Sequence, residues 1–103
     1  MSLSPEQRRE YRAIAHNLKP VIIVGDKGLT ESLQEELERA LNDHELIKVK
    51  VANQDREARQ EAITALCESS GAEIVQTIGK IAVIMRRSKK PNPKLSNLLR
   101  HKH

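Results

Sequence analysis

The sequence predicts a single compact α/β domain of the α+β kind, in the order α-β-α-β-α-β-β, with a four-stranded mixed sheet and three helices. Three observations carry that prediction. Val21–Val24 is a run of four β-branched residues that stops at Gly25, the pattern of a short buried strand. Glu73–Ile78 and Ile81–Met85 are two β-rich runs separated only by Gly79-Lys80, which fits a tight hairpin. Between and before these runs lie segments with apolar residues at helical spacing, so at 103 residues one mixed domain accounts for the chain.

Taken in order, Ser4-Pro5-Glu6-Gln7 opens a helix with Ser as N-cap, Pro at the first helical position and Gln three residues after the cap. Tyr11, Ile14, Ala15 and Leu18 form its apolar stripe. Arg8, Arg9 and Arg12 lie on the other side, where they form either a solvated face, since Glu6 and Glu10 interleave with them, or a binding face. The helix ends near Asn17, because Lys19 precedes Pro20 and is biased towards extended geometry. Val21–Val24 is then expected to be buried. The Gly25-Asp26-Lys27-Gly28 turn that follows is expected at the surface, with Thr30 capping the next helix.

That second helix, Thr30 to Asn42, buries Leu33, Leu37, Ala40 and Leu41 and presents Glu31, Glu35, Glu36 and Glu38 outward. The stretch from Ile47 to Val51 alternates as a strand with one wet face, which carries Lys48 and Lys50. A third helix runs from about Asp55 to Ser70, burying Ala58, Ala62, Ile63, Leu66 and Cys67 before Gly71 ends it. A strand–helix–strand passage usually sets its strands parallel, so the sheet is expected to be mixed, with an antiparallel final hairpin. The domain occupies residues 1–87. Residues 88–103 form a basic tail expected to be flexible, in which Leu95, Leu98 and Leu99 allow one short helical turn.

Composition narrows the function. With no Trp, no Phe and only Tyr11, the chain lacks the aromatic platforms on which single-strand readers stack bases. The net charge of +4 is uneven: seven bases and no acid follow from Arg86 onward, whereas residues 1–85 hold 11 bases against 14 acids. Such an end suits an anionic partner, and a solvated tail gives the same pattern. Cys67 is the only cysteine and falls on an apolar helical face, so it reads as a core thiol. His101 and His103 have no further ligands nearby, and no metal or cofactor is expected. With no signal peptide and no apolar run near membrane length, a soluble cytoplasmic protein is expected.

Strand, Gly-x-x-Gly turn and capped helix together form a phosphate-sized site, since amides at a helix N-terminus face outward beside the positive end of its dipole. Ala15-His16-Asn17-Leu18-Lys19-Pro20-Val21, Gly25-Asp26-Lys27-Gly28-Leu29-Thr30, His44-Glu45-Leu46-Ile47-Lys48-Val49-Lys50 and Ile78-Gly79-Lys80 resemble, in that order, the CRM (chloroplast RNA splicing and ribosome maturation) domain over about residues 3–87. With nothing large appended, the chain is similar to the stand-alone bacterial YhbY-like proteins. The resemblance implies a fold similar to the C-terminal domain of translation initiation factor three, no catalysis, and RNA contact through the glycine turn. The partner implied is ribosomal RNA in precursors of the large subunit, with no membrane and no small-molecule substrate. Gly25, Asp26, Lys27, Gly28, Leu29 and Thr30 are the expected RNA-binding residues at the turn. Lys19, Lys80, Arg86, Arg87, Lys89 and Lys90 are the expected supporting cations, and a monomer is expected.

Three other functions fit parts of the pattern, one of them a pure protein-interaction module, which would show no salt-dependent affinity for nucleic acid. A chromosomal DNA-binding protein would also use a basic tail. A nucleotide-phosphate enzyme would use the glycine turn, but neither Gly-x-x-x-x-Gly-Lys-Ser/Thr nor Gly-x-Gly-x-x-Gly is present.

Overall fold

A computed structural model describes residues 3–100 of the chain. Its elements are α1 (Pro5–Ala15), β1 (Pro20–Val24), α2 (Glu31–His44), β2 (Leu46–Val51), α3 (Arg56–Ser70), β3 (Glu73–Ile78), β4 (Ile81–Met85) and one further helical turn, α4 (Asn97–Arg100). The strands make one sheet in the order β1-β2-β4-β3, with β1 parallel to β2 and β4 antiparallel to both its neighbours. This is the expected mixed sheet, to which α4 adds a short fourth helix.

Local chemistry sets the helix ends. The Gln7 amide donates to Ser4 Oγ at 3.1 Å and the Ser4 amide donates back to Gln7 Oε1 at 3.0 Å, a closed capping box. Gly71 ends α3 in the left-handed region, at φ 74°. On one sheet face, Leu37 and Leu41 of α2 and Ile63 and Leu66 of α3 pack over Val49 and Ile84, all of them nearly inaccessible. Each such side chain contributes about 1.5–3 kcal/mol of hydrophobic stabilisation.

α1 lies on the other face, where Tyr11 and Ala15 cover Leu46, Val75, Val83 and Met85. It does not reach the rest. For that reason the expectation that Val21–Val24 is buried holds only for Ile22 and Val24: Val21 is 51% and Ile23 62% exposed, because β1 is an edge strand with only one covered face.

Arg8 also departs from the solvated or binding face expected of it. It is half-buried, and its Nη1 donates to the Ile74 carbonyl at 2.6 Å, where the pairing of β3 with β4 shifts by a residue between Ile74 and Gln76. A bulge disrupts the local ladder, and the arginine supplies a donor there.

The segment from Ser88 differs most from expectation. Through residue 100 it lies against the body as a strap. Glu45 is 3% exposed and accepts from the Ser88 amide and from Ser96 Oγ, each at 2.6 Å. Asn97 Nδ2 donates to the Leu46 carbonyl at 2.6 Å, His44 Nδ1 donates to the Leu95 carbonyl at 3.0 Å, and Leu98 packs on the α1 side of the sheet. The physical reason is Glu45 itself, a buried carboxylate that requires donors, which the strap brings. Residues 101–103, including His101 and His103, lie outside the described residues. A Ser96→Ala protein, which removes one donor from Glu45, is expected to unfold about 1–3 kcal/mol more easily, checked by urea titration.

Candidate nucleic-acid interface

The topology places three connections at one end of the sheet. β1 and β2 run parallel and finish there, while β3 ends and β4 begins there. The Ala52 amide donates to the Val24 carbonyl at 2.9 Å and the Val51 amide to the Lys80 carbonyl at 2.7 Å, which bind the glycine turn, the β2–α3 segment and the hairpin turn into one rim.

Within the glycine turn, the Gly28 amide donates to the Gly25 carbonyl at 3.0 Å and Gly28 takes φ 69°, a conformation in which a side chain is strained. Gly25, Asp26 and Lys27 are exposed. Two expected contact residues also have structural roles. Leu29 packs against the main core, and Thr30 caps α2, its Oγ1 accepting from the Leu33 amide at 3.1 Å. Since the turn uses the Gly28 amide and the cap uses that of Leu33, the outward donors at the start of α2 are the amides of Glu31 and Ser32, which have no acceptor within the helix.

Around this rim stand Lys27, Lys50 and Lys80, joined by two arginines the sequence reading missed. Arg56 and Arg59 begin α3 and border a recess with Thr77 and Gly79 of the hairpin. Arg59 Nη1 donates to the carbonyls of Asn53 and Gln54 at 3.0 and 2.9 Å, bracing the segment, while Arg56 is exposed. Asp26, Glu31 and Asp55 bring carboxylates to the same end, so attraction for an anion depends on the surrounding cations as well as on the turn.

The other expected residues stand elsewhere. Lys19 lies at the opposite end of β1, six residues before Gly25, about 20 Å away at about 3.3 Å per residue. Arg86 and Arg87 follow β4 at the far end of the sheet. Arg86 is committed internally, paired with Glu38 and donating to the Ser70 carbonyl at 2.8 Å and to Asn42 Oδ1 at 2.9 Å. Arg87 Nη2 donates to Tyr11 Oη at 3.2 Å, an interaction that raises the pKa of an already charged guanidinium. Lys89 and Lys90 are exposed on the strap.

Cys67 is half-buried against the main core, and that burial pushes its thiol pKa up. Iodoacetamide at neutral pH is therefore expected to modify it far more slowly in the native protein than in urea, as mass spectrometry would read. Among the described residues, no group of three or more His, Cys, Asp or Glu side chains could hold a metal, and no helix is long and apolar enough to cross a membrane.

The chain has close relatives. A family model described as the CRS1/YhbY (CRM) domain matches residues 3–86. A protein of Pseudomonas aeruginosa named a probable RNA-binding protein is 51% identical over 100 residues, covering 97% of this chain and 96% of its own length. One from Bacillus subtilis, also named a probable RNA-binding protein, is 36% identical over 87 residues, 84% of this chain and 91% of its own. The solution structure of a hypothetical protein from Staphylococcus aureus superposes with a TM-score of 0.76 at 34% identity, covering 91% of this chain and 97% of that one.

Proposed function

This chain belongs to the CRS1/YhbY (CRM) domain family, and from that membership we propose that it binds RNA without catalysing a reaction. The observation that carries the reading is the convergence of the glycine turn, the hairpin turn and the start of α3 on one rim with Lys27, Lys80 and Arg56. The rim supplies what a phosphate needs: ammonium and guanidinium groups beside the amides and positive dipole end of α2. Lys27 holds a phosphate directly. Lys80 and Arg56 neutralise its neighbours, and each contact releases condensed counterions.

The second group, Arg87, Lys89 and Lys90, stands at the other end of the sheet, about 20 Å away for the six residue steps of extended chain from Lys80 to Arg86. It therefore meets a different part of the same RNA. Arg86, held by Glu38, Asn42 and the Ser70 carbonyl, ties the end of β4 to α2 and α3 rather than meeting the ligand. With so few base-reading groups, recognition rests on RNA shape. Within the family this fits a cytoplasmic, monomeric factor on ribosomal RNA of the assembling large subunit.

Lys27→Ala tests it. Affinity for a structured fragment of large-subunit RNA should fall, and the slope of log affinity against log salt should shrink by about 0.7–0.9, one phosphate contact. Duplex DNA titrated in parallel should bind more weakly. Unchanged affinity and slope would remove the turn from the interface, and tighter binding to DNA would favour the chromosomal alternative.

A further inference from the structure

On the face opposite α2 and α3, α1 leaves half of the sheet open. One cross-strand row, Ile23, Lys50, Ile81 and Ile78, runs in register across all four strands of that half. Its outer members are 62% and 63% exposed, for Ile23 and Ile78. Lys48 belongs to the next row, and a shallow hollow between that row and α1 is lined by Arg12, His16 and Gln76 with no carboxylate. The surface is thus apolar and cationic at once. By contrast, the outer side of α2 carries Glu31, Glu35 and Glu36, so charge sorts by face.

An occupant must offer carbon surface and negative charge together. A protein helix flanked by carboxylates has both, but Lys50 sits in the middle of the apolar row and would be desolvated under the helix, at a cost of several kcal/mol. An RNA strand presents phosphates alternating with sugar and base surfaces, so an ammonium between isoleucines meets an anion between apolar groups. The row also starts two residues before Gly25, continuous with the rim.

We propose that this open half-face is the track for an unpaired RNA segment leaving the structured RNA held at the glycine turn. Lys48 and Lys50 take its phosphates, and Ile23, Ile81 and Ile78 lie against its riboses and base edges. Phosphate and ribose contacts carry no sequence information, so the track tolerates any sequence. The inference rests on the RNA-binding reading above and adds a substrate class: RNA in which a single-stranded stretch adjoins a helical one.

The test compares a hairpin from large-subunit RNA with the same hairpin carrying a short unpaired extension. Wild-type protein should bind the extended RNA at least about tenfold more tightly, which is about 1.4 kcal/mol. In Lys48→Ala/Lys50→Ala that gain should vanish and the salt slope for the extended RNA should fall by about 1.4, two single-strand phosphate contacts. Lys27→Ala should weaken both RNAs and keep the gain. If wild type binds the two RNAs equally while Lys27→Ala weakens both, the track is wrong and the turn stands; if Lys27→Ala changes neither, the RNA reading itself fails. An Ile78→Cys protein in a Cys67→Ser background, labelled with benzophenone and irradiated in large-subunit precursor particles, should crosslink to RNA. Crosslinks to protein alone would give the face to a protein partner and overturn the proposal.

Discussion

A Gly28→Asp protein is expected to fold and to lose at least about tenfold in affinity for structured ribosomal RNA, the equivalent of about 1.4 kcal/mol. The fold should survive because a Cβ at Gly28 meets no atom within 4 Å and the turn buries little apolar area. Two costs remain, and both are local. The first is conformational: φ 69° costs a residue with a side chain about 1–2 kcal/mol, towards the low end for Asp and Asn, which tolerate the left-handed region. The second is electrostatic, a carboxylate added where Asp26 and Glu31 already oppose the phosphate. Gly28→Asn separates them, since it has nearly the same shape and no charge, and Gly28→Ala gives the strain with the least added bulk. Losses should run Asp well above Ala and Asn, with circular dichroism unchanged in all three. Equal wild-type affinity for all three would mean that RNA does not approach the turn.

What was legible in the sequence was whatever is decided locally. The Ser4–Gln7 box, the Thr30 cap, Gly71 at the end of α3 and the Gly79-Lys80 hairpin are each signalled within a few residues, and each stands where expected. The glycine turn was legible for the same reason. What could not be read depends on partners distant in the chain. Arg86 and its ion-pair partner Glu38 are 48 residues apart, so its seven-base neighbourhood made it look available. Ser96 and Asn97 are polar residues in a Lys- and Pro-rich stretch, and nothing there announces that Glu45 and Leu46, 51 residues earlier, will bury them. Arg56 and Arg59 join the rim only because α3 begins beside the hairpin, a consequence of strand order rather than of spacing. The same order leaves Ile23 uncovered. A β-branched run reads as buried on both faces until the sheet edge is known.

One signal for the strap lay in the backbone. Glu45 takes φ 61° and ψ −44°, a conformation that costs a residue other than glycine about 1–3 kcal/mol and persists only where the surroundings enforce it. Here its amide donates to the Leu41 carbonyl at 3.0 Å, its carbonyl accepts from the Arg86 amide at 2.8 Å, and its carboxylate holds Ser88 and Ser96. The strain aims the side chain of the α2–β2 junction at the strap, so the junction and the strap form one structural unit.

Deleting residues 88–103 is therefore expected to destabilise the domain, against the sequence-based expectation of a flexible basic tail. The deletion removes the hydrogen bonds to His44, Glu45 and Leu46, worth about 0.5–1.5 kcal/mol each and up to about 3 for those to a carboxylate, and it uncovers the apolar surface beneath Leu98. Glu45 becomes solvated in the shortened protein, which returns part of that loss. The net cost should be about 3 kcal/mol, a fall in Tm of about 12–24 °C for a domain of this size, with a single cooperative transition retained because the sheet and its α2–α3 cover are intact. RNA affinity should fall as well, since Lys89, Lys90 and Lys94 leave with the strap. Ser96→Ala distinguishes the two roles: it loosens the strap and keeps every charge. If the deletion and Ser96→Ala weaken RNA binding alike, the docked position of the strap matters to recognition; if only the deletion does, its charge alone is used. An unchanged Tm in the deletion would mean that Glu45 holds its conformation without the strap.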